Sequence, residues 1–234
     1  MSISENIARI QEQIATAARR AGRSEKDVLL MAVSKTFPVD AIIEAYIAGA
    51  RIFGESKVQE FSGKAATLVE LHHVEWHMIG HLQTNKSARA AELFSHVDSV
   101  DSLRLAQKLN SAAGQAGKKL GVLIEINVGG EAAKTGIALD SPHLDQILVS
   151  VHLLHNLEFR GLMTVPPWTE NPEDARPFFR KLRELRDKIS AKQLPGVRLD
   201  LLSMGMSHDF QVAIEEGSTC VRIGTAIFGD RSKA

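Results

Sequence analysis

Short apolar runs alternate with amphipathic helical stretches along almost the whole of this sequence. The runs are Val28–Val33, Arg51–Gly54, Trp76–Gly80, His96–Val100, Leu120–Val128, Leu157–Val165, Leu199–Met204 and Cys220–Phe228. Helical patterns begin near Val39, Ser56, Asn85, Ser102, Pro142, Pro172 and His208; two open at a proline, whose missing N–H costs little in a first turn. Strands that alternate with helices imply right-handed crossovers and a parallel sheet. Eight such units predict an α/β fold of the (β/α)8 TIM barrel kind. An open doubly wound sheet is the rival, but it should carry Gly-x-Gly-x-x-Gly after an early strand. Here the first strand runs into Ser34-Lys35-Thr36-Phe37-Pro38.

An extra N-terminal helix precedes the first strand. Ser2 and Glu5 have capping-box spacing, and Ile3, Ile7, Ile10 and Ile14 recur on one face up to a stop near Gly22. Barrels of about 200–250 residues form one unit, and no Pro-, Gly- or Ser-rich linker divides the chain, so residues 1–234 are expected to form a single domain. Lys and Arg total 28 against 28 Asp and Glu. That balance speaks against nucleic acid or an anionic membrane as a partner. No apolar run approaches the roughly 18 residues of a bilayer span, and the N-terminus is charged where a secretory signal needs its apolar centre. Cys220 is the only cysteine, which excludes an intramolecular disulfide and suits a cytoplasmic location.

Barrel enzymes place their chemistry at the C-terminal strand ends and often bind phosphate in the loops after strands seven and eight. Lys35 lies just past the first strand. There it either snorkels into water or, partly desolvated, serves as an amine that attacks a carbonyl. Gly224 and Thr225, at the end of the last run, suit close approach of a phosphate to backbone N–H groups. Ser203-Met204-Gly205-Met206-Ser207 adds hydroxyls and a helix start after strand seven, which favours an anion. Arg222, inside an apolar strand, needs a partner; Asp200 and Glu125 are the acidic candidates, and a phosphate or heterocycle nitrogen the functional one. Together these groups suit pyridoxal 5′-phosphate, or the sugar phosphate of a Schiff-base aldolase.

His73, His77 and His81 are four apart, a spacing that on a helix would suit zinc with Glu75 nearby. Because Trp76–Gly80 reads as a strand, no metal site is expected and His77 is assigned to the barrel lining. The loop at Pro166, Pro167 and Trp168 is the candidate site cover.

Ala32-Val33-Ser34-Lys35-Thr36, Phe53-Gly54-Glu55 with Val58-Gln59-Glu60, His77 to Lys86, Lys134-Thr135-Gly136, Arg160 to Met163, Leu202 to Ser207 and Val221 to Gly229 together resemble the pyridoxal phosphate homeostasis family over nearly the whole chain. The resemblance implies a fold-type III cofactor barrel, similar to the N-terminal domain of alanine racemase. Lys35 would then hold the cofactor as its aldimine. Ser207, Gly224 and Thr225 would hold the phosphate, Arg222 would face the cofactor, and Ser203 and Met204 would line the site. Ser56 and Lys57 depart from the family pattern, which usually has asparagine and an aromatic there.

The resemblance also implies a carrier or regulator of cellular pyridoxal phosphate, with no catalytic residue, no efficient turnover, and cofactor-dependent apoenzymes as recipients. A racemase needs a second base, a tyrosine from an additional domain. The only tyrosine here, Tyr46, is expected on an outer helix, and the chain ends about where the barrel closes. Arg222 at the ring nitrogen would keep it unprotonated and weaken the electron sink. The family implies a monomer. Lys134 and Lys86 are candidate secondary amines during release.

Overall fold

The computed structural model describes residues 1–131 and 135–230. Its eight parallel strands are β1 (Leu29–Val33), β2 (Ile52–Glu55), β3 (Glu75–Met78), β4 (His96–Val100), β5 (Leu120–Asn127), β6 (Leu157–Met163), β7 (Val197–Met206) and β8 (Cys220–Ile223). Neighbours in sequence pair in parallel, and β8 pairs with β1, so the sheet closes into a barrel. A two-residue strand, Ile137–Ala138, adds to β5.

The helices are α1 (Ile3–Arg20), α2 (Val39–Ile47), α3 (Val58–Ala65), α4 (Ser87–Leu93), α5 (Leu103–Gln115), α6 (Pro142–Ser150), α7 (Arg176–Ser190), α8 (Phe210–Glu215) and α9 (Thr225–Phe228). The capping box predicted for α1 is present: the Ser2 hydroxyl accepts from the Glu5 N–H, and the Ser2 N–H donates to the Glu5 carboxylate. Ile7, Ile10, Ile14, Ala17 and Ala18 are buried on the face of α1 that packs against α2, α8 and α9. With only four residues, α9 cannot cover the β8–β1 seam, and α1 takes that place in the helical ring. No described helix is long and apolar enough to cross a membrane.

Strand limits differ from the expected runs at every strand but the fourth, and most of all at the last. The last apolar run is a strand only to Ile223; Gly224 then leads into the single turn of α9. Apolar periodicity cannot separate a short buried strand from a buried helical turn. The third strand starts at Glu75, and the seventh extends over Val197–Met206.

The apolar core lies between the strands and the helices, with Phe53, Phe61, Phe94, Leu105 and Phe179 wholly buried. The barrel interior is more polar. His77, Asp98, Ser203, Cys220 and Arg222 are all buried, and the Asp98 charge on β4 acts on Cys220 and Arg222 across the barrel.

Candidate functional site

The register Ala32↔Ile223 between β1 and β8 brings Lys35 and the Gly224–Thr225 step to the same end of adjacent strands. A Cβ on Gly224 would lie in ordinary contact with the Val33 carbonyl, 3.5 Å away. Lys35, half-buried, is the second residue of a turn closed by Phe37 N–H donating to the Ser34 carbonyl at 3.1 Å. The third residue, Thr36, has φ 70°. That left-handed conformation is a true outlier for a β-branched residue.

The strained turn is held from below. The Thr36 N–H donates to Glu60 Oε1 at 2.6 Å, and Lys64 Nζ binds the same oxygen at 2.7 Å. Lys64 also reaches Glu55 Oε1 at 3.4 Å, which accepts from the Ser34 hydroxyl at 2.8 Å. Glu55 is fully buried, and its Oε2 has no hydrogen-bond partner. Burial raises its pKa, outweighing the Lys64 charge and the Ser34 bond. Glu55, Glu60 and Lys64 were not among the expected site residues. A glutamate ending the apolar Ile52-Phe53-Gly54 run was the available signal.

At the neighbouring strand ends, β7 carries one extra residue against β8, pairing Ser203 with Cys220 and then Met206 with Arg222. Gly205 inside this bulge has φ 95°, and a Cβ there would come within 2.9 Å of the Phe210 Cα. Only glycine lets β7 bend this closely onto α8. The bend presents Ser207, whose hydroxyl accepts from the Ala226 N–H at 3.3 Å. Ser207 therefore caps the first turn of α9 from outside and does not open α8; Asp209 stands before α8 and accepts from the Met206 N–H at 2.7 Å. Thr225 is exposed, and first-turn N–H groups have no intrahelical acceptor. Two hydroxyls and such N–H groups make a donor set suited to an anion.

Arg222 is 4% exposed, and among the described residues none of its hydrogen bonds goes to an acid. It donates to the Ser203 carbonyl, the Ser203 hydroxyl and the Thr164 carbonyl, each at 2.7 Å. The acidic candidates are engaged elsewhere: Asp200 with Arg160 at 2.8 Å, and Glu125 with the Thr135 hydroxyl at 2.7 Å. Burial lowers the pKa of Arg222. Ser203 is thus part of the Arg222 cluster, whereas Met204, the next residue, is wholly buried in the apolar core, with its carbonyl accepting from Ser218.

The remaining candidates scatter. His73 sits in an exposed turn with φ 59°, exposed His81 pairs with Asp101, and His77 is buried against Asp98, so these three do not converge. Tyr46 closes α2 at the opposite end of the barrel from Lys35, its hydroxyl on the His72 carbonyl and its ring under Arg51. Lys86 lines a cleft with Ser56, Lys57, Gln59 and His81; Lys134 lies outside the described residues. Trp168 is exposed and stacks on His208.

Residues 6–232 match the alanine racemase N-terminal domain. The chain is 46% identical over 231 residues to the pyridoxal phosphate homeostasis protein of Aquifex aeolicus, covering 99% of both chains. It is 43% identical to the protein of that name from Escherichia coli, covering 98% of this chain and 97% of the relative. Among solved structures, PipY of Synechococcus elongatus with PLP bound is similar at 35% identity and a TM-score of 0.84, over 97% of this chain and 100% of PipY. An alanine racemase from Streptomyces coelicolor shares the fold at 17% identity and a TM-score of 0.73, with 57% of that chain covered. The closed barrel and these likenesses over nearly the full length place the chain in the pyridoxal phosphate homeostasis protein family, built on the alanine racemase N-terminal barrel.

Proposed function

We propose that residues 1–234 act as one domain that binds pyridoxal 5′-phosphate and takes part in its homeostasis, as a monomer in the cytoplasm. The observation that carries this reading is the juxtaposition of the Lys35 turn with Ser207 and the Gly224–Thr225 step at the β1 and β8 ends. The donor set fits the cofactor group by group. Lys35 supplies the amine that condenses with its aldehyde, releasing water. Ser207, Thr225 and the backbone of Gly224 hold the phosphate. Arg222 faces the ring nitrogen and Ser203 orients Arg222, while buried Met204 backs the strand that carries them.

Bound pyridoxal phosphate supplies an electron sink whose strength depends on protonation of its ring nitrogen. A guanidinium remains charged at any physiological pH and has no acceptor, so Arg222 cannot protonate that nitrogen. This favours holding the cofactor over turning over amino acids. Release to cofactor-dependent apoenzymes follows as the useful step, with Lys86 or Lys134 as transient acceptors.

The test is the visible absorbance of purified, cofactor-loaded protein before and after borohydride, beside Lys35→Ala. A band that reduction abolishes and Lys35→Ala lacks supports the reading; no band in the native protein overturns it. Peptide mapping after reduction that finds label only on Lys35 removes the relay, and solvent-deuterium exchange at the α-carbon of an amino acid would assign turnover instead.

A further inference from the structure

At the opposite barrel end from Lys35, Glu75 and His77 open β3, and the register pairs His77 with His96 on β4. The two imidazoles stack at 4.2 Å and 6°. Glu75 Oε2 lies 3.5 Å from His77 Nε2 and 3.9 Å from His96 Nδ1, and the three prospective ligand atoms fall within 4.8 Å of one another. His77 is 4% exposed, yet its Nε2 has no hydrogen-bond partner. An unsatisfied buried nitrogen is costly and calls for an explanation. The other nitrogen, Nδ1, is gripped by both oxygens of fully buried Asp98 at 3.0 and 3.1 Å. Gly121 keeps the slot for the His96 ring open, since a Cβ there would collide with it.

We propose that Glu75, His77 and His96 bind one divalent transition metal ion of the zinc class. With metal–ligand bonds of about 2.0–2.2 Å, neighbouring tetrahedral ligands stand about 3.4 Å apart. The Glu75–His77 spacing is already close to that. Rotation of the Glu75 side chain, 56% exposed, and a tilt of His96 at the rim close the remaining distance. Asp98 serves as the outer carboxylate that fixes the tautomer of His77 and directs its Nε2 lone pair at the metal. Two imidazoles and one carboxylate suit zinc, copper or nickel and disfavour calcium and magnesium. Arg160, the nearby cation, is neutralised by Asp200 at 2.8 Å. The ion would tie β3 to β4, which otherwise share only two registered pairs, His77↔His96 and Met78↔Val97.

The four-residue spacing of His73, His77 and His81 does not bring these three together. His96 reaches His77 from the adjacent strand, through sheet pairing that sequence separation does not reveal.

The experiment uses the full chain, stripped with chelator and dialysed, then titrated with zinc chloride by calorimetry, with cobalt(II) as a visible probe of tetrahedral geometry. The expected result is one saturable site per chain at micromolar zinc. Asp98→Asn should weaken it about 10–100-fold, His96→Ala should abolish it, and Glu75→Gln, a change at an exposed side chain, should weaken it at least about tenfold without altering the far-ultraviolet dichroism. His72→Ala and His73→Ala serve as exposed controls that should bind as the parent does. Absence of one-to-one binding overturns the proposal, as does binding that survives in both Glu75→Gln and His96→Ala or disappears in the His72 and His73 variants.

Discussion

The turn that presents Lys35 balances a strain against one hydrogen bond, and this balance can be broken from either side. A left-handed φ costs an ordinary L-residue about 1–2 kcal/mol, and Thr36 sits at φ 70°. Opposing it, the Thr36 N–H donates to Glu60 Oε1 at 2.6 Å, a bond to a charged acceptor whose net value is about 1.5–3 kcal/mol. Glu60→Ala removes that bond and leaves Lys64 with Glu55 and the Ser34 carbonyl. The turn should then spend most of its time in conformations that do not present Lys35. Apparent affinity falls by the fraction of competent turn; with the bond gone the strain of about 1–2 kcal/mol is unopposed, which corresponds to a rise of about 5–30-fold in Kd for pyridoxal phosphate, since each 1.4 kcal/mol is tenfold. Thr36→Gly removes the strain at an entropic cost of about 0.5–1 kcal/mol and should leave affinity nearly unchanged in the parent. Placed on Glu60→Ala, it should recover most of the loss.

The assay is titration of cofactor-free protein followed at the visible band, for the parent, both single variants and the double variant. This double-mutant cycle isolates the coupling between strain and bond. Equal losses from Glu60→Ala with and without Thr36→Gly would refute the reasoning, as would a Glu60→Ala affinity within twofold of the parent.

Other expectations follow from packing and titration. Gly161→Ala drives a Cβ into the backbone carbonyl of Leu201 on β7, which no rotamer relieves; overpacking of about 3 kcal/mol or more should lower Tm by roughly 6–12 °C in calorimetry. Gly63→Ala, inside α3 with nothing within 4 Å of the new Cβ, should stabilise by about 0.5–1 kcal/mol in urea unfolding. Glu216, on which Arg176, Arg180 and Arg183 converge, is pushed up by burial but held below the usual carboxylate range by the hydrogen bonds of Arg180 and Arg176 and the charge of Arg183. A depressed folded pKa contributes stability above the unfolded value of about 4.3 and loses it as pH falls through the folded value, so urea midpoints should fall on that acid limb and Glu216→Gln should flatten it. Cys220, 4% exposed with its pKa pushed up to about 12, chiefly by burial, should resist a thiol reagent at pH 8 in the native protein and react on unfolding.

The barrel was legible in the sequence because alternation of apolar runs with helical periodicity states directly which faces must be buried, and the Ser2–Glu5 cap because capping is local. Lys35, Ser207, Gly224 and Thr225 could be picked out because strand ends are recognisable in a barrel, and closure does bring β1 and β8 together. The supports of these residues were not legible. Glu60 reaches Thr36 from 24 residues away, and Arg222 satisfies its charge with the carbonyls of Ser203 and Thr164 where the sequence offered Asp200 and Glu125. His96 meets His77 only because β3 and β4 lie side by side. Periodicity and capping depend on residues a few positions apart, so the sequence by itself determined the elements and their buried faces. Which side chains meet inside and at the rims depends on register, shear and the direction of each bulge, which arise only when eight strands close on one another; the tertiary structure alone decided those contacts.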